Sequence, residues 1–487
     1  MNAAEMDFEL NFEKNGYILK GVRGCPSHVL CIPEAYNSLP VVGANVIVSC
    51  DDVFELQLPK SITYIKMLSF SNLKRVSVDG QNPCFFEGAD GALYSKDKST
   101  LILVPKSQTM TSYKIAEEVE KVLSGALFGC KNIHTIYIPE HVREIEDEAF
   151  GGMPLLERFD VSPKNKHFAT DAHGVLYSHD FSRLVAFPGG SLVGRYEINE
   201  STISIEKHAM RLCPTLEYLK IPASVTDIGD ERAFDRADRL SCIEVCADNP
   251  TFKSIDGVLY NKDATKLIKY PSGKESECFL SPSSVKSIFP FAFYNSRQLK
   301  SIVIHSDIEL IPDYCFSGCS ELKSAELPCS VRSIGNFAFS GCTSLKDISF
   351  PAMLEYIDSC AFQNCESLSC AILGNNVKKL GIMSFSGCKS LTRVKLGKNI
   401  SGEFFTSEFD GCVSLRRINI PAGIKTIGAG LFSSCQKLSH VSFAHKKWET
   451  VCFERTDSGI KTVHTYFPSV NAKNLRQRYC DSFWTKA

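Results

Sequence analysis

Seven phenylalanines recur through the second half of this chain: Phe293, Phe316, Phe339, Phe362, Phe385, Phe409 and Phe432. The steps between them are 23, 23, 23, 23, 24 and 23 residues. From Phe316 onward each is followed three residues later by a cysteine: Cys319, Cys342, Cys365, Cys388, Cys412 and Cys435. A compact enzyme fold has no use for such regularity. A fixed period of roughly 20–50 residues marks a stacked-repeat architecture, in which one unit cannot bury its apolar face alone and neighbours complete the core.

The shared frame is F-x-x-C-x-x-L-x-x-Φ-x-Φ-P-x-x-Φ-x-x-Φ, with Φ apolar. Its L-x-x-Φ-x-Φ segment fits a short strand: Leu345, Ile348 and Phe350 face in, while Asp347 and Ser349 face out. The segment recurs as Leu322/Ala325/Leu327, Leu368/Ala371/Leu373, Leu391/Val394/Leu396, Leu415/Ile418/Ile420 and Leu438/Val441/Phe443. Proline at Pro328, Pro351 and Pro421 stops the strand and starts a turn. The following Φ-x-x-Φ (Val331/Ile334, Leu354/Ile357, Ile424/Ile427) returns along another side.

The first half carries the unit less regularly. Phe128, Gly129 and Cys130 precede Ile133, Ile136, Ile138 and Pro139, and Cys213 precedes Leu216, Leu219, Ile221 and Pro222. A second period lies on top. Asp90-Gly91-Ala92-Leu93-Tyr94, His173-Gly174-Val175-Leu176-Tyr177 and Asp256-Gly257-Val258-Leu259-Tyr260 are 83 residues apart, each a few residues after an asparagine (Asn82, Asn165, Asn249). Each is followed by a polar turn and a second apolar run, which predicts a hairpin inserted near 82–105, 165–188 and 249–271, projecting from one face.

The combination F-x-G-C-x-x-L-x-x-I-x-I-P-x-x-V-x-x-I-G, together with the inserted D-G-V-L-Y block, resembles the BspA-like leucine-rich repeats of bacterial and protist surface proteins. The resemblance spans about residues 50 to 445. It implies a leucine-rich repeat solenoid, a right-handed curved coil of α/β or mainly-β type with a parallel concave sheet, and adhesion to host or matrix proteins at the cell surface. It carries no catalytic residues across. Residues 1–49 and 446–487 depart from the frame and are read as N- and C-terminal caps. Trp448 and Trp484 and a short helix over Pro468 to Tyr479 are expected in the second.

The net charge of −1 argues against a primary nucleic-acid binder. No segment approaches the ~18 apolar residues of a membrane-spanning helix. Met1 to Glu9 has no charged head followed by an apolar stretch, so no signal peptide is read there and a cytoplasmic location is the alternative to the cell surface. Of the 21 cysteines, those in the periodic slot are expected to form a buried ladder of free thiols. Cys242/Cys246 and Cys315/Cys319 have metal-ligand spacing, but no histidine pair follows either, so no metal and no cofactor is expected. A disulfide between Cys25 and Cys31 has no support beyond proximity.

Phosphate-loop, dinucleotide, zinc-protease and Gly-x-Ser-x-Gly motifs are absent. His134, His141, His167, His173 and His179 cluster loosely with Asp171 and Asp180, and are read as solvent-facing; Glu117-Glu118 and Glu146 to Glu148 are read as solvated turns. The chain is therefore taken as non-enzymatic. Outward strand positions are more informative, because stacking sets them side by side. They include Tyr137, Tyr218, Lys220, Glu326, Asp347, Arg393, Lys395, Arg417 and Asn419, an acidic stretch giving way to a basic one. This face, or the hairpins, is expected to bind a protein or glycan, with Tyr137 and Tyr218 as anchors. The alternative function is an intracellular scaffold.

Overall fold

The computed structural model describes residues 6–22, 28–48, 53–70, 72–106, 110–230, 232–305, 307–404, 407–427, 431–444, 450–451 and 462–465. These residues form strands and turns with no helix among them, so the all-β variant of the expected solenoid applies. The C-terminal tryptophans and the expected helix over 468–479 lie outside the described residues. The chain divides into two compact units, Met1–Leu216 with Pro222–Ala237, and Glu217–Ile221 with Asp238–Ala487.

In the second unit each repeat makes one turn of a coil. One side is built from parallel strands Ser301–Val303, Ser324–Glu326 and Asp347–Ile348, and from Cys370–Ile372, Arg393–Lys395, Arg417–Ile420 and His440–Phe443. A second side holds the two-residue strands Leu310–Ile311, Ser333–Ile334, Tyr356–Ile357 and Lys379–Leu380, one per turn and all parallel. The third side is the F-x-x-C segment, which is a series of turns.

That third side explains the period. The rings of Phe316, Phe339, Phe362 and Phe385 are fully buried and stack at centroid separations of 5.0, 5.2 and 5.2 Å. Each ring residue's amide donates to the next turn, Phe339 to Ala361 O at 2.7 Å and Phe362 to Ser384 O at 2.8 Å. Each ring residue's carbonyl accepts twice, from the amide of its own turn's cysteine and from the thiol one turn on. Cys342 N reaches Phe339 O at 3.1 Å, and Cys365 Sγ reaches the same oxygen at 3.2 Å. Cys319, Cys342, Cys388, Cys412 and Cys435 repeat the thiol contact at 3.1 to 3.2 Å. The slot therefore asks for a small apolar side chain that carries a weak donor, which describes cysteine. Burial pushes the Cys319 and Cys435 thiols up to about 12.

Two backbone positions per turn are left-handed, two residues either side of the ring. After the ring stand Asn295, Gly318, Gly341, Asn364 and Gly387, with φ of 58°, 78°, 75°, 58° and 73°, the residue types that tolerate this region. Before the ring stand bulky residues: Phe291, Tyr314 and Phe337 at 57°, 55° and 55°. Their rings stack on one another at 4.6 and 4.7 Å, and Tyr314 N and Phe337 N donate to the following turn. Those contacts offset the local strain.

The first unit follows the same frame with substitutions. The expected ring at Phe128 is displaced by one: Leu127 fills the buried slot, between left-handed Gly125 and Gly129, and Phe128 is half-buried. Counting back three from Cys130 gives Leu127, as counting back three from Cys213 gives buried Met210. The frame also begins earlier than residue 50. Strand Val29–Cys31 pairs in parallel with Glu55–Leu58, burying Leu30 and Ile32. Within the described residues 6–22 and 28–48, Met6–Leu10 is antiparallel to Tyr17–Val22, and the latter is parallel to Leu39–Val48.

The inserts are more tightly integrated than projecting hairpins. Phe85–Glu87, Leu93–Ser95 and Thr100–Leu103 form an antiparallel meander, and its last strand then pairs in parallel with Lys121–Val122 of the coil. The other two inserts repeat this. Only the tips stay in solvent; the Tyr94, Tyr177 and Tyr260 side chains are buried. Each leading asparagine pins its insert. Asn165 Nδ2 donates to Pro139 O and Val142 O at 2.7 and 2.9 Å, and its Oδ1 accepts from His167 N and Phe168 N at 2.8 and 2.9 Å. Asn82 makes the equivalent four bonds. In the first two inserts the buried tyrosine meets a second one and a carboxylate. Tyr94 and Tyr113 both donate to Asp90 Oδ2, at 2.7 and 2.8 Å, and Tyr196 donates to Asp171 while touching the Tyr177 hydroxyl.

Three outcomes are expected. Phe362→Ala removes a ring at 0 % exposure from the middle of the stack and should destabilise the chain by ~3–5 kcal/mol in urea unfolding; a change below ~1 kcal/mol would place that ring outside the core. Asn165→Ala orphans two amides and two carbonyls and should cost ~3 kcal/mol; retained stability would show that water replaces the side chain. Of the described cysteines, exposed Cys31, Cys278 and Cys329 should react with a thiol reagent in the native protein, and the ladder thiols only after unfolding; rapid native labelling of Cys342 or Cys365 would contradict the ladder.

Candidate partner-binding face

The outward residues of the strand side form two rows in the second unit. One runs Cys370, Arg393, Arg417, His440 and the other holds Ile372 and Lys395, from the strand register Cys370↔Arg393, Ile372↔Lys395, Arg393↔Arg417 and Arg417↔His440. Arg393, Lys395, Arg417 and Asn419 are all exposed. Paired strands set such neighbours about 4.8 Å apart at the backbone. Like charges directly opposite one another are unfavourable in a sheet. Among the described residues Arg393, Lys395 and Arg417 have no ion-pair partner. Asn419 accepts a hydrogen bond from the Ser442 hydroxyl.

Elsewhere several charges are paired from one turn to the next. On the second side Glu355 lies between Arg332, at 2.7 Å, and Lys378, which together hold its carboxyl below the usual range. In the first unit Lys121 lies between Glu144 and Glu146, each at 2.7 Å, and Arg183 meets Glu206 at 2.9 Å. In the basic rows Arg393, Lys395 and Arg417 have no such pairing among the described residues.

The acidic stretch is placed on the same side of the second unit. Glu326 and Asp347 are exposed, with Ser324 opposite Asp347 in register. Tyr218 and Lys220 lie in strand Tyr218–Ile221, opposite Cys242 and Glu244, and both are half-buried. The Tyr218 hydroxyl donates to the Glu244 carboxylate. Tyr137 belongs to the first unit, in strand Thr135–Ile138, where the Lys114 ammonium lies 5.2 Å from its ring centre. The structure therefore groups Arg393, Lys395, Arg417 and Asn419, and leaves Tyr137 in another unit. Sequence reading passed over Cys370 and Ile372, which occupy the same outward slots. Ile372 is 47 % exposed beside Lys395. Counting the L-x-x-Φ-x-Φ frame from Leu368 would have found both.

The histidines do not converge. His134 pairs with Glu157 at 2.9 Å, while His141, His167, His173 and His179 are exposed. Asp180 binds Ser178 and Ser182 across an insert tip, which draws its carboxyl down to about 2. Glu148, expected in a solvated turn, is instead half-buried in the first unit and pairs with Arg211 at 2.7 Å, with His208 at 3.5 Å. This pairing spans an insert, so no local spacing announces it. Cys315 and Cys319 are both buried, and the Cys319 thiol is committed to Phe293 O. Among the described residues no group of three or more His, Cys, Asp or Glu side chains is placed to hold a metal. No helix among them is long and apolar enough to cross a membrane.

Comparison with solved structures finds leucine-rich repeat proteins. A leucine-rich repeat protein of Eubacterium ventriosum has a TM-score of 0.52 at 22 % identity, over 77 % of this chain and 96 % of that one. A leucine rich cell surface protein of Faecalibacterium prausnitzii gives 0.43 at 24 % identity, over 81 % and 94 %. The pneumococcal vaccine antigen PcpA gives 0.40 at 19 %, over 99 % and 96 %. No curated protein matches the chain. The BspA type leucine rich repeat region matches residues 105–174, 185–276, 273–391 and 361–477 in six copies. With most of its length covered by that repeat, the chain belongs to the BspA-type leucine-rich repeat family.

Proposed function

We propose that the chain is a non-enzymatic binding protein whose second unit recognises a protein partner through an acidic segment seated on Arg393, Lys395 and Arg417. The observation that carries this reading is the in-register pairing of Arg393 with Arg417, with Lys395 two residues along and no ion-pair partner for any of the three among the described residues. A stacked coil can neutralise a charge by placing its opposite one turn away, as it does at Glu355. Leaving three cations together weakens the free protein slightly and favours an anionic partner. The acidic Glu326 and Asp347 on the same unit would orient that partner along the rows. Adhesion at a cell surface is the role expected of the family.

A second reading, an intracellular scaffold, is favoured by the thiols. The described cysteines are free, and Cys31, Cys278 and Cys329 are exposed. Exposed free thiols suit a reducing compartment. Cell fractionation of the full-length chain separates the two readings.

The binding face is tested with immobilised polyglutamate as a minimal acidic probe. The native chain should be retained at low salt and released as salt rises, since exposed charges are screened. The triple variant R393E/K395E/R417E should lose retention while keeping its thermal transition. The control E326K/D347K should retain binding. Undiminished retention of the triple variant would remove this face from the function.

A further inference from the structure

The third insert breaks the tyrosine arrangement of the first two. The buried tyrosine of each insert is followed nineteen positions later by Tyr113, Tyr196 and then Phe279. In the first two inserts the second tyrosine supplies a hydroxyl to the first. In the third, Phe279 supplies none. Tyr260 is 1 % exposed, and among the described residues its hydroxyl has no hydrogen-bond partner. Burial holds that phenol well above its ordinary pKa, so it is a neutral donor and acceptor.

Tyr260 lines a pocket of about 260 Å³. The other walls include the rings of Tyr270 and Phe279 and the aliphatic side chains of Ile255, Val258 and Leu280. Tyr270 and Phe279 pack edge to face at 5.5 Å, and both contact Phe293 at the start of the ring stack. Asp256 stands at the mouth, in the register of Asp90, with its carboxylate 86 % exposed and 3.2 Å from Lys274. The Lys274 ammonium is also held by the Asp256 carbonyl at 2.8 Å. The pocket thus combines ring and aliphatic walls, a hydroxyl that reaches the cavity with no protein partner among the described residues, and a carboxylate at its mouth.

We propose that this pocket binds an aromatic ring bearing a hydroxyl, a phenol, whose oxygen meets Tyr260 and Asp256 as the Tyr113 oxygen meets Tyr94 and Asp90 in the first insert. The ring is recognised by the aromatic and aliphatic walls, and the hydroxyl by Tyr260, which Phe279 leaves without a partner, and by the Asp256 carboxylate at the mouth. The phenol comes either from a free small molecule or from a tyrosine side chain of a protein partner. This site stands apart from the basic rows, and its test does not depend on them.

The experiment is ligand-observed NMR on the full chain with p-cresol, toluene and N-acetyltyrosinamide. Saturable millimolar binding of p-cresol is expected, with toluene roughly fivefold weaker for want of one hydrogen bond. Phe279→Tyr rebuilds the tyrosine pair and should weaken p-cresol roughly tenfold. Tyr260→Phe should narrow the preference for p-cresol over toluene, so the result does not rest on one variant folding. Binding of N-acetyltyrosinamide identifies a protein side chain as the source, and binding of p-cresol alone identifies a free phenol. Absence of saturable binding by both, equal affinity of p-cresol and toluene for the native chain, or full p-cresol affinity in folded Phe279→Tyr overturns the proposal.

Discussion

The second unit depends on a contact between a thiol and a carbonyl oxygen. Each Phe carbonyl of the ladder is buried and accepts its own turn's cysteine amide, which leaves one lone pair still to be met. The cysteine one turn on meets that need, while its small volume lets the rings close to about 5 Å. Ring stacking, amide ladder and thiol contact all repeat along the same axis, so each turn completes the hydrogen bonds of its neighbour. The strand rows that carry charge are held in register by this inner scaffold.

Interruption is handled by a different device. An insert must leave the coil and return without orphaning the backbone at its base. A single buried asparagine does this at Asn82 and Asn165, using both donors and both lone pairs of its amide. The meander then lends its last strand to the second side of the coil, so an excursion of two dozen residues costs the stack nothing in continuity. Across the gap left by the second insert, Glu148 and Arg211 make an ion pair that no regular turn contains.

Much of this was legible because a repeat states its rule many times. The period placed Phe316 to Phe432 in the core, the cysteine slot beside them, and the outward position of Arg393, Lys395 and Arg417. The errors arose where a single copy had to be read alone. Phe128 stands only two residues before Cys130, and the buried ring slot three residues before it is filled by Leu127. The inserts looked like free hairpins because two apolar runs around a polar turn do not reveal that the second run also pairs with the coil. The Tyr260 pocket was invisible for a subtler reason. Its signal is the absence of one oxygen at Phe279, which means something only when the partners of Tyr113 and Tyr196 are known. Glu148 and Arg211 are 63 residues apart, and their meeting is set by the insert between them.

The thiol ladder has a consequence for how such a chain is made. A cysteine in this slot is shielded only once the turns on both sides of it exist, so every nascent end carries at least one undefended sulfur. The same residues that seal the finished coil are, moments earlier, a string of evenly spaced reactive groups able to cross-link in many wrong combinations. Closure must therefore outpace oxidation at each step of growth, and the chain's tolerance of an oxidising environment is a matter of timing rather than of the final structure.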